Sequence, residues 1–247
     1  MKTSGNTILI TGGGSGIGRE LARRWHDLGN TVIVAGRTRA SLEETAEGYE
    51  NIHAMTLDIA SPDEVRSFAK AVVAQHPDLN VLVNNAGIMI YEEIASARDL
   101  ADAEAQVTIN LLGPIRLTDA LVDHLKARDD AAIVNVSSGL AFVPLPKTAT
   151  YSATKAALHS YTISLRTKLA GQVEVIEIIP PAVQTELTPG QSTREGYMPL
   201  DAFIAETMQG FESDDTPDEV LTENVLFLRN AEAEGRFDEA LEALKQL

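Results

Sequence analysis

An apolar run, Thr7-Ile8-Leu9-Ile10-Thr11, passes directly into Gly12-Gly13-Gly14-Ser15-Gly16-Ile17-Gly18 and then into an amphipathic stretch that ends near Leu28. So short a run of β-branched residues and leucine favours a strand, and the glycines punctuate the chain before a helix begins. A strand, a tight turn and a helix in that order form half of a βαβ unit, so the rest of the chain must supply parallel partners for the strand. It does: Thr31 to Ala35, Ile52 to Asp58, Val81 to Asn84, Ala132 to Val136 and Val173 to Ile179 read as further strands. Helical patterns near Ile17 to Leu28, Ala40 to Glu47, Pro62 to His76, Ala103 to Arg128 and Thr150 to Ala170 lie between them. Pro62 after Ser61, with Asp63 and Glu64 in the first turn, marks a helix start. Several strands are apolar almost throughout, as expected where both faces of a sheet are covered.

The expected fold class is therefore α/β, a doubly wound parallel sheet of the Rossmann type. With 247 residues, 44% of them hydrophobic, and no internal repeat or linker, the chain is expected to form a single domain over residues 1–247. After Ile179 the pattern is broken by Pro180, Pro181, Pro189, Gly190, Gly196 and Pro199. This stretch leaves the carboxyl end of a strand, where open parallel sheets bind ligands, so residues at about 186–215 read as a substrate lid. From Pro217 the chain reads as helical to its end, with Gly235 separating two segments.

A formal charge of -16, from 36 acidic and 20 basic residues, argues against nucleic acid and anionic lipid surfaces as partners. The chain has no cysteine, which excludes disulfides, thiolate metal sites and cysteine nucleophiles. The histidines at 26, 53, 76, 124 and 159 show no metal-ligand spacing, and no metal is expected. No run approaches the ~18 apolar residues of a membrane span, so a cytoplasmic protein without membrane partners is expected.

Gly12, Gly16 and Gly18 stand where a turn must bend tightly and aim helix N-terminal amides at a pyrophosphate. The spacing is Gly-x-x-x-Gly-x-Gly, and no Gly-Lys-Ser/Thr follows that would mark a nucleotide-hydrolysing loop. About 20 residues further on, dinucleotide sites commonly place a carboxylate for the adenosine ribose. Here the end of the second strand reads Gly36-Arg37-Thr38-Arg39, with no carboxylate before Glu43. A guanidinium at Arg37 can grip a 2′-phosphate bidentately, which favours NADP(H); NAD(H) stays open if Arg37 and Arg39 are merely solvated.

Tyr151 and Lys155 are four apart, so on a helix they share one face a turn apart. Reduction of a carbonyl needs a proton donor for the developing alkoxide, and a tyrosine with a pKa of ~10 works near neutrality only beside a cation. Lys155 supplies that cation. Ser138 follows the fifth strand, at the carboxyl edge of the sheet, where its hydroxyl can bond a substrate oxygen.

These features resemble the short-chain dehydrogenase/reductase superfamily in its compact single-domain branch. The similarity runs from about Thr7 to Thr185 and includes residues 11 to 18, Asp58, Asn84-Asn85-Ala86-Gly87, Asn110, Ser138, Tyr151, Lys155, Pro180 and Thr185 in matching order. The resemblance implies that Tyr151 is the acid/base, that Ser138 orients the substrate oxygen, and that Lys155 lowers the tyrosine pKa while binding nicotinamide ribose hydroxyls. It implies that Asn110 holds a water of a proton relay and that Asp58 contacts the adenine. It implies cofactor contacts at Gly12, Ser15, Gly16, Ile17, Gly18, Arg37, Ile59, Asn85, Ala86 and Gly87, with main chain at Val183 and the Thr185 hydroxyl on the carboxamide. Two departures stand out. Pro180-Pro181 replaces the usual Pro-Gly, and the tail from Phe227 to Leu247 reads as helical where the family has a seventh strand with a Gly-Gly signature. A homodimer through the helices holding Asn110 and Tyr151 is the expected assembly. The segment 137 to 145 and the chain ending are similar to the DltE-like subgroup.

Ile88, Met89, Ile90, Tyr91, Leu140, Phe142, Val143, Tyr197 and Met198 are expected to face the substrate, and most are apolar. That suits a hydrophobic ketone or secondary alcohol, although Arg194 leaves room for an anion. The expected activity is interconversion of a carbonyl and an alcohol by hydride transfer. The alternative is a non-catalytic nucleotide-sensing or scaffold protein on the same fold.

Overall fold

The structure is a computed structural model that describes residues 1–213 and 215–246. Asp214, inside the expected lid, and Leu247, the end of the expected helical tail, lie outside the described residues.

Six strands fall close to where the sequence places them: β1 (Thr7–Thr11), β2 (Thr31–Gly36), β3 (Ile52–Thr56), β4 (Leu79–Asn84), β5 (Ala132–Val136) and β6 (Glu174–Ile179). A seventh, β7 (Glu219–Leu221), joins them in one sheet of order β3-β2-β1-β4-β5-β6-β7, with parallel pairing throughout. This corrects the helical reading from Pro217, because Glu219, Val220 and Leu221 pair in register with Glu177, Ile178 and Ile179. Three residues are too few for a strand period to show in sequence.

Alternate side chains on each strand go to opposite faces, as the pleat requires. On one face Ile8, Ile10, Val32 and Val34 pack with Leu21 and Trp25 of α1 (Gly16–Asp27) and Leu42 of α2 (Arg39–Ala46). On the other, Leu9, Ile33 and Ala35 meet Val65, Phe68 and Val72 of α3 (Pro62–Gln75) and Leu117, Leu121 and Leu125 of α5 (Gly113–Lys126). α6 (Ala149–Leu169) covers β5 and β6 on that second face. The expected start of α3 is present: the Ser61 hydroxyl accepts from the Glu64 amide at 3.3 Å, and Pro62 opens the helix.

The long helix expected from Ala103 to Arg128 is interrupted. α4 (Ala101–Val107) runs into a π-helical turn, Thr108–Leu112, before α5 begins. Such widened turns occur mostly at functional sites, and this one carries the fully buried Asn110.

The segment expected to form a lid, 186–215, is not irregular throughout. Leu200–Glu212 is a helix, α7, whose Phe203, Ile204, Met208 and Phe211 are buried in the core beside α1, with Phe211 edge-on to Trp25 at 5.4 Å. The irregular part ends at Pro199 and holds a 3-10 turn, Gln191–Thr193, and a bridge between Val183 and Met198. After β7 come α8 (Leu226–Arg229) and α9 (Phe237–Lys245). Ala231, Ala240 and Leu244 of this tail pack against Val143 and Leu145, roofing the segment that follows Ser138. Among the described residues no helix is long and apolar enough to cross a membrane.

Candidate active site

β1 and β4 are neighbours although β2 and β3 lie on the far side of β1, so the strand order reverses between them and a crevice opens at their carboxyl ends. The glycine turn lies at that crevice. Gly12 and Gly16 have φ of +67° and +52°, a region that disfavours any side chain. A Cβ on Gly18 would stand 2.4 Å from the Gly12 carbonyl oxygen, and one on Gly12 would stand 2.9 Å from the Ala86 Cα. The backbone thus comes close because no side chain intervenes. Asn85 Nδ2 donates to the carbonyls of Thr11 and Gly12 at 2.9 and 3.3 Å, while the amides of Asn85 and Ala86 donate to the Thr11 hydroxyl at 3.1 Å. Arg19 clasps the Gly14 carbonyl from inside α1. Ser15, at the N-cap of α1, makes no capping bond, which leaves its hydroxyl and the helix amides to a ligand.

Gly12, Gly36, Arg37, Asp58, Ile59, Ala86 and Gly87 border a pocket of about 130 Å³ at the ends of β1 to β3. Arg37 is exposed and makes no ion pair among the described residues, whereas Arg39 is taken by Glu43 at 2.7 Å. The Asp58 carboxylate accepts from the Ala60 amide at 3.0 Å, which fixes the turn after β3.

The neighbouring cleft, about 310 Å³, is lined by Gly12, Ser15, Gly16, Ile17, Asn85, Ala86 and Gly87 on one side. Ser138, Tyr151, Lys155, Val183 and Thr185 line the other. Tyr151 and Lys155 share the buried face of α6, as their spacing predicts. Lys155 Nζ lies 5.5 Å from the Tyr151 ring centroid and donates to the Val136 carbonyl at 2.8 Å. Burial pushes the Tyr151 hydroxyl up to about 12, against a hydrogen bond with Ser138 that lowers it. Burial also brings the Lys155 ammonium down to about 8, against Glu177, which raises it. Here burial, and not the lysine, sets the tyrosine, so Tyr151 holds its proton at neutral pH. Asn110 is behind this wall: its Oδ1 accepts from the Ile88 amide at 2.9 Å, and its Nδ2 donates to the Ile88 carbonyl at 2.8 Å and to Thr154 at 3.2 Å. Gly18 lines neither pocket; it is where α1 passes closest to Gly12.

Of the residues expected to face substrate, Ile88 lines the cleft, Met89 and Ile90 are half-buried beyond it, and Leu140 packs against the tail cluster. Val143 and Met198 are corrections, since both are packed in hydrophobic clusters. Phe142 is also turned to packing, against His159 at 4.7 Å and under the Arg229 guanidinium at 4.5 Å. The mouth is more polar than expected: Arg194 donates to the Tyr197 hydroxyl at 3.1 Å and the Tyr91 hydroxyl at 3.5 Å.

Other residues at the site gave no sequence signal. Buried Gln191 donates to the Val183 carbonyl at 2.8 Å and to the Thr185 hydroxyl at 3.3 Å, bracing the far wall. Glu92 accepts from the Thr150 amide and hydroxyl, both at 2.7 Å, and from Arg98, anchoring the first turn of α6. His159 meets Glu177 at 2.8 Å, and Glu219 lies close enough that one donor atom from each falls within 4.8 Å of the others. Arg229 grips both Glu219 oxygens at 2.7 and 2.9 Å, so a guanidinium already balances the carboxylates of this cluster.

The model of the short chain dehydrogenase family matches residues 6–196. The chain belongs to the short-chain dehydrogenase family. Among curated short-chain relatives, the uncharacterized oxidoreductase DltE of Bacillus subtilis is 42% identical over 199 residues, which is 79% of each chain. Sulfoacetaldehyde reductase 2 of Chromohalobacter salexigens is 34% identical over 186 residues, covering 73% of this chain and 74% of that one. A short chain dehydrogenase from Burkholderia cenocepacia, solved in complex with NADP, shares the fold over the full length of both chains with a TM-score of 0.82 at 24% identity. The 3-ketoacyl-(acyl-carrier-protein) reductase of Brucella melitensis, solved with NADH, has a TM-score of 0.77 at 28% identity over 86% of this chain and 93% of that one.

Proposed function

We propose that this short-chain dehydrogenase reduces a small-molecule carbonyl to an alcohol, or the reverse, with NADP(H) preferred over NAD(H). The observation that carries the reading is the placing of Ser138, Tyr151 and Lys155 on one wall of the cleft whose other wall is the glycine turn. The turn fits a dinucleotide: it is cleared of side chains at Gly12 and Gly18, and Ser15 and the α1 amides are uncommitted. When bound, NADP(H) supplies or accepts the hydride. The Ser138 hydroxyl then bonds the substrate oxygen and holds its carbon toward the cofactor. Tyr151 keeps its proton through neutral pH and gives it to that oxygen as negative charge develops there, which is the direction of reduction. Lys155 stabilises the phenolate that remains. Arg37, exposed and without an ion pair among the described residues, is the group for the 2′-phosphate. Val183, Thr185 and Gln191 form the wall for the carboxamide. Ile88 and Leu187 offer apolar lining in the cleft, which favours substrates with a hydrophobic body. Two relatives named as an oxidoreductase and a reductase support the redox reading, and neighbours solved with NADP and with NADH support a nicotinamide cofactor of either kind.

Val107 on α4 and Ile163 on α6 are exposed at 37% and 45%, apolar residues on the helices expected to pair two copies. We read the protein as a homodimer through those helices.

Initial rates of nicotinamide absorbance change, with NADPH and NADH against a panel of carbonyls and alcohols, test the activity. Tyr151→Phe should lose about 10²- to 10⁴-fold in turnover. Arg37→Asp should turn the preference toward NADH. Tight cofactor binding with no turnover in either direction would favour a nucleotide-sensing protein.

A further inference from the structure

Glu177 is the least expected buried group in the molecule. It stands in the middle of β6, is fully buried, and pairs in register with Asn135 of β5. Asn135 donates to Thr162 of α6 at 2.9 Å, and Glu177 projects from the same face, toward the same helix. One Glu177 oxygen, Oε2, meets His159 Nδ1 at 2.8 Å, while Oε1 is buried without a hydrogen-bond partner. A buried carboxylate oxygen with no hydrogen bond from the protein is unfavourable unless charge nearby compensates. The chain has kept that cost beside its cleft.

Arg229 compensates from the β7 side, and a second cation stands on the helix. Tyr151, Lys155 and His159 follow one another at intervals of four on α6, so they form a file on one face. His159 is clamped to Glu177, and Lys155 is one turn nearer the cleft. Lys155 bonds the carbonyl of Val136, whose register partner is Ile178, the residue after Glu177. The ammonium and the carboxylate are therefore set at adjacent steps of the same strand pair.

We propose that Glu177 is a positioning residue for Lys155: its buried carboxylate, clamped by His159, holds the lysine as a cation beneath Tyr151. The proposal rests on the reading that Lys155 serves Tyr151. It adds a tier behind the Ser138, Tyr151 and Lys155 wall that reaches outward through Glu219 of β7 to Arg229 of α8. Lys155 faces Tyr151 and His159 on its own helix and Glu177 on β6, with Glu219 and Arg229 beyond the carboxylate. Asn110, uncharged, stands near the ammonium: a Cβ on Gly87 would meet Asn110 Oδ1 at 3.4 Å and Lys155 Nζ at 3.7 Å. Of these, Glu177 is the anion that raises Lys155, and burial is the larger force against it.

The test reads the lysine directly. Protein labelled with ¹³C at lysine Cε, the signal assigned by its loss in Lys155→Met, is titrated without substrate in wild type and in Glu177→Gln. The Lys155 midpoint should fall by about one pH unit or more in Glu177→Gln, and Glu177→Asp should restore most of the shift. If Glu177→Gln does not fold, the paired change Glu177→Gln with His159→Gln keeps an amide-to-amide bond in the same place and should show the same fall. A folded variant lacking the carboxylate but with an unmoved Lys155 midpoint overturns the proposal. Because no turnover is measured, failure of the carbonyl-reduction reading would leave this result standing, and the reverse also holds.

Discussion

Lys155 is buried at a cost, and the cost has a pH signature. Its folded pKa is brought down by burial to about 8 from 10.5. Between those values the unfolded chain binds a proton that the folded protein does not, so stability rises with pH across that window and the penalty is present in full below it. Lys155→Met removes the charge with little change in volume. It should be more stable than wild type at pH 7 by roughly 3 kcal/mol, less about 1 kcal/mol for the lost bond to Val136. The advantage should shrink as pH passes from about 8 to 10.5 and reverse at the upper end, leaving the variant less stable by about 1 kcal/mol, the lost bond. Urea unfolding of both proteins at several pH values checks this, and Tyr151 cancels in the difference because both carry it. A gap that does not change with pH would mean that Lys155 is not the strained cation described here. Stability and function then oppose each other at one side chain, since the cation that costs stability is the one Tyr151 needs after losing its proton.

At the level of elements, the glycine turn is the part with least tolerance. An alanine methyl at Gly18 would have to occupy space 2.4 Å from the Gly12 carbonyl oxygen and 2.5 Å from Asn85 Nδ2. The carbonyl is backbone and cannot swing aside, so Gly18→Ala should push α1 away from β1. We expect at least about tenfold weaker NADPH binding by calorimetry, at 1.4 kcal/mol per tenfold, with far-ultraviolet circular dichroism retained. Unaltered affinity would show that the close approach is not needed. This turn, the six main strands and the Tyr151 to Lys155 face were legible in sequence because each rests on local spacing: apolar runs, glycines, and a four-residue interval. What was not legible depends on distant partners. The π turn at Asn110 differs from an ordinary helix by about one residue per turn, and the Asn110 side chain it carries is bonded to Ile88, distant in sequence. α7 was hidden behind the prolines before it, although Phe203, Ile204, Met208 and Phe211 carry a helical face. Glu177 within an apolar strand and His159 on a helix read as ordinary polar residues until the sheet brings them together.

For the whole molecule the question is how a chain with a formal charge of -16 meets a second copy. Like charge on both partners repels them, so a stable dimer needs an apolar patch where acidic residues are sparse. The sheet edge at β7 is a poor candidate, because three residues offer few backbone groups to a partner strand. The α4 and α6 helices offer the alternative, with Val107 and Ile163 exposed on helices that pack against one another and the acidic Asp102 and Glu104 confined to the first turn of α4. Ile163 also lies on the outer side of the helix that carries Tyr151 and Lys155, so pairing there would stiffen the wall of the cleft. Ile163→Glu places a charge in that patch without touching the core. Sedimentation velocity at moderate salt should show wild type as a dimer and Ile163→Glu as a monomer, with thermal stability then dependent on protein concentration in wild type alone. A dimer that survives the substitution would move the interface elsewhere, and a monomeric wild type would leave the two apolar side chains as solvent-facing residues of the surface.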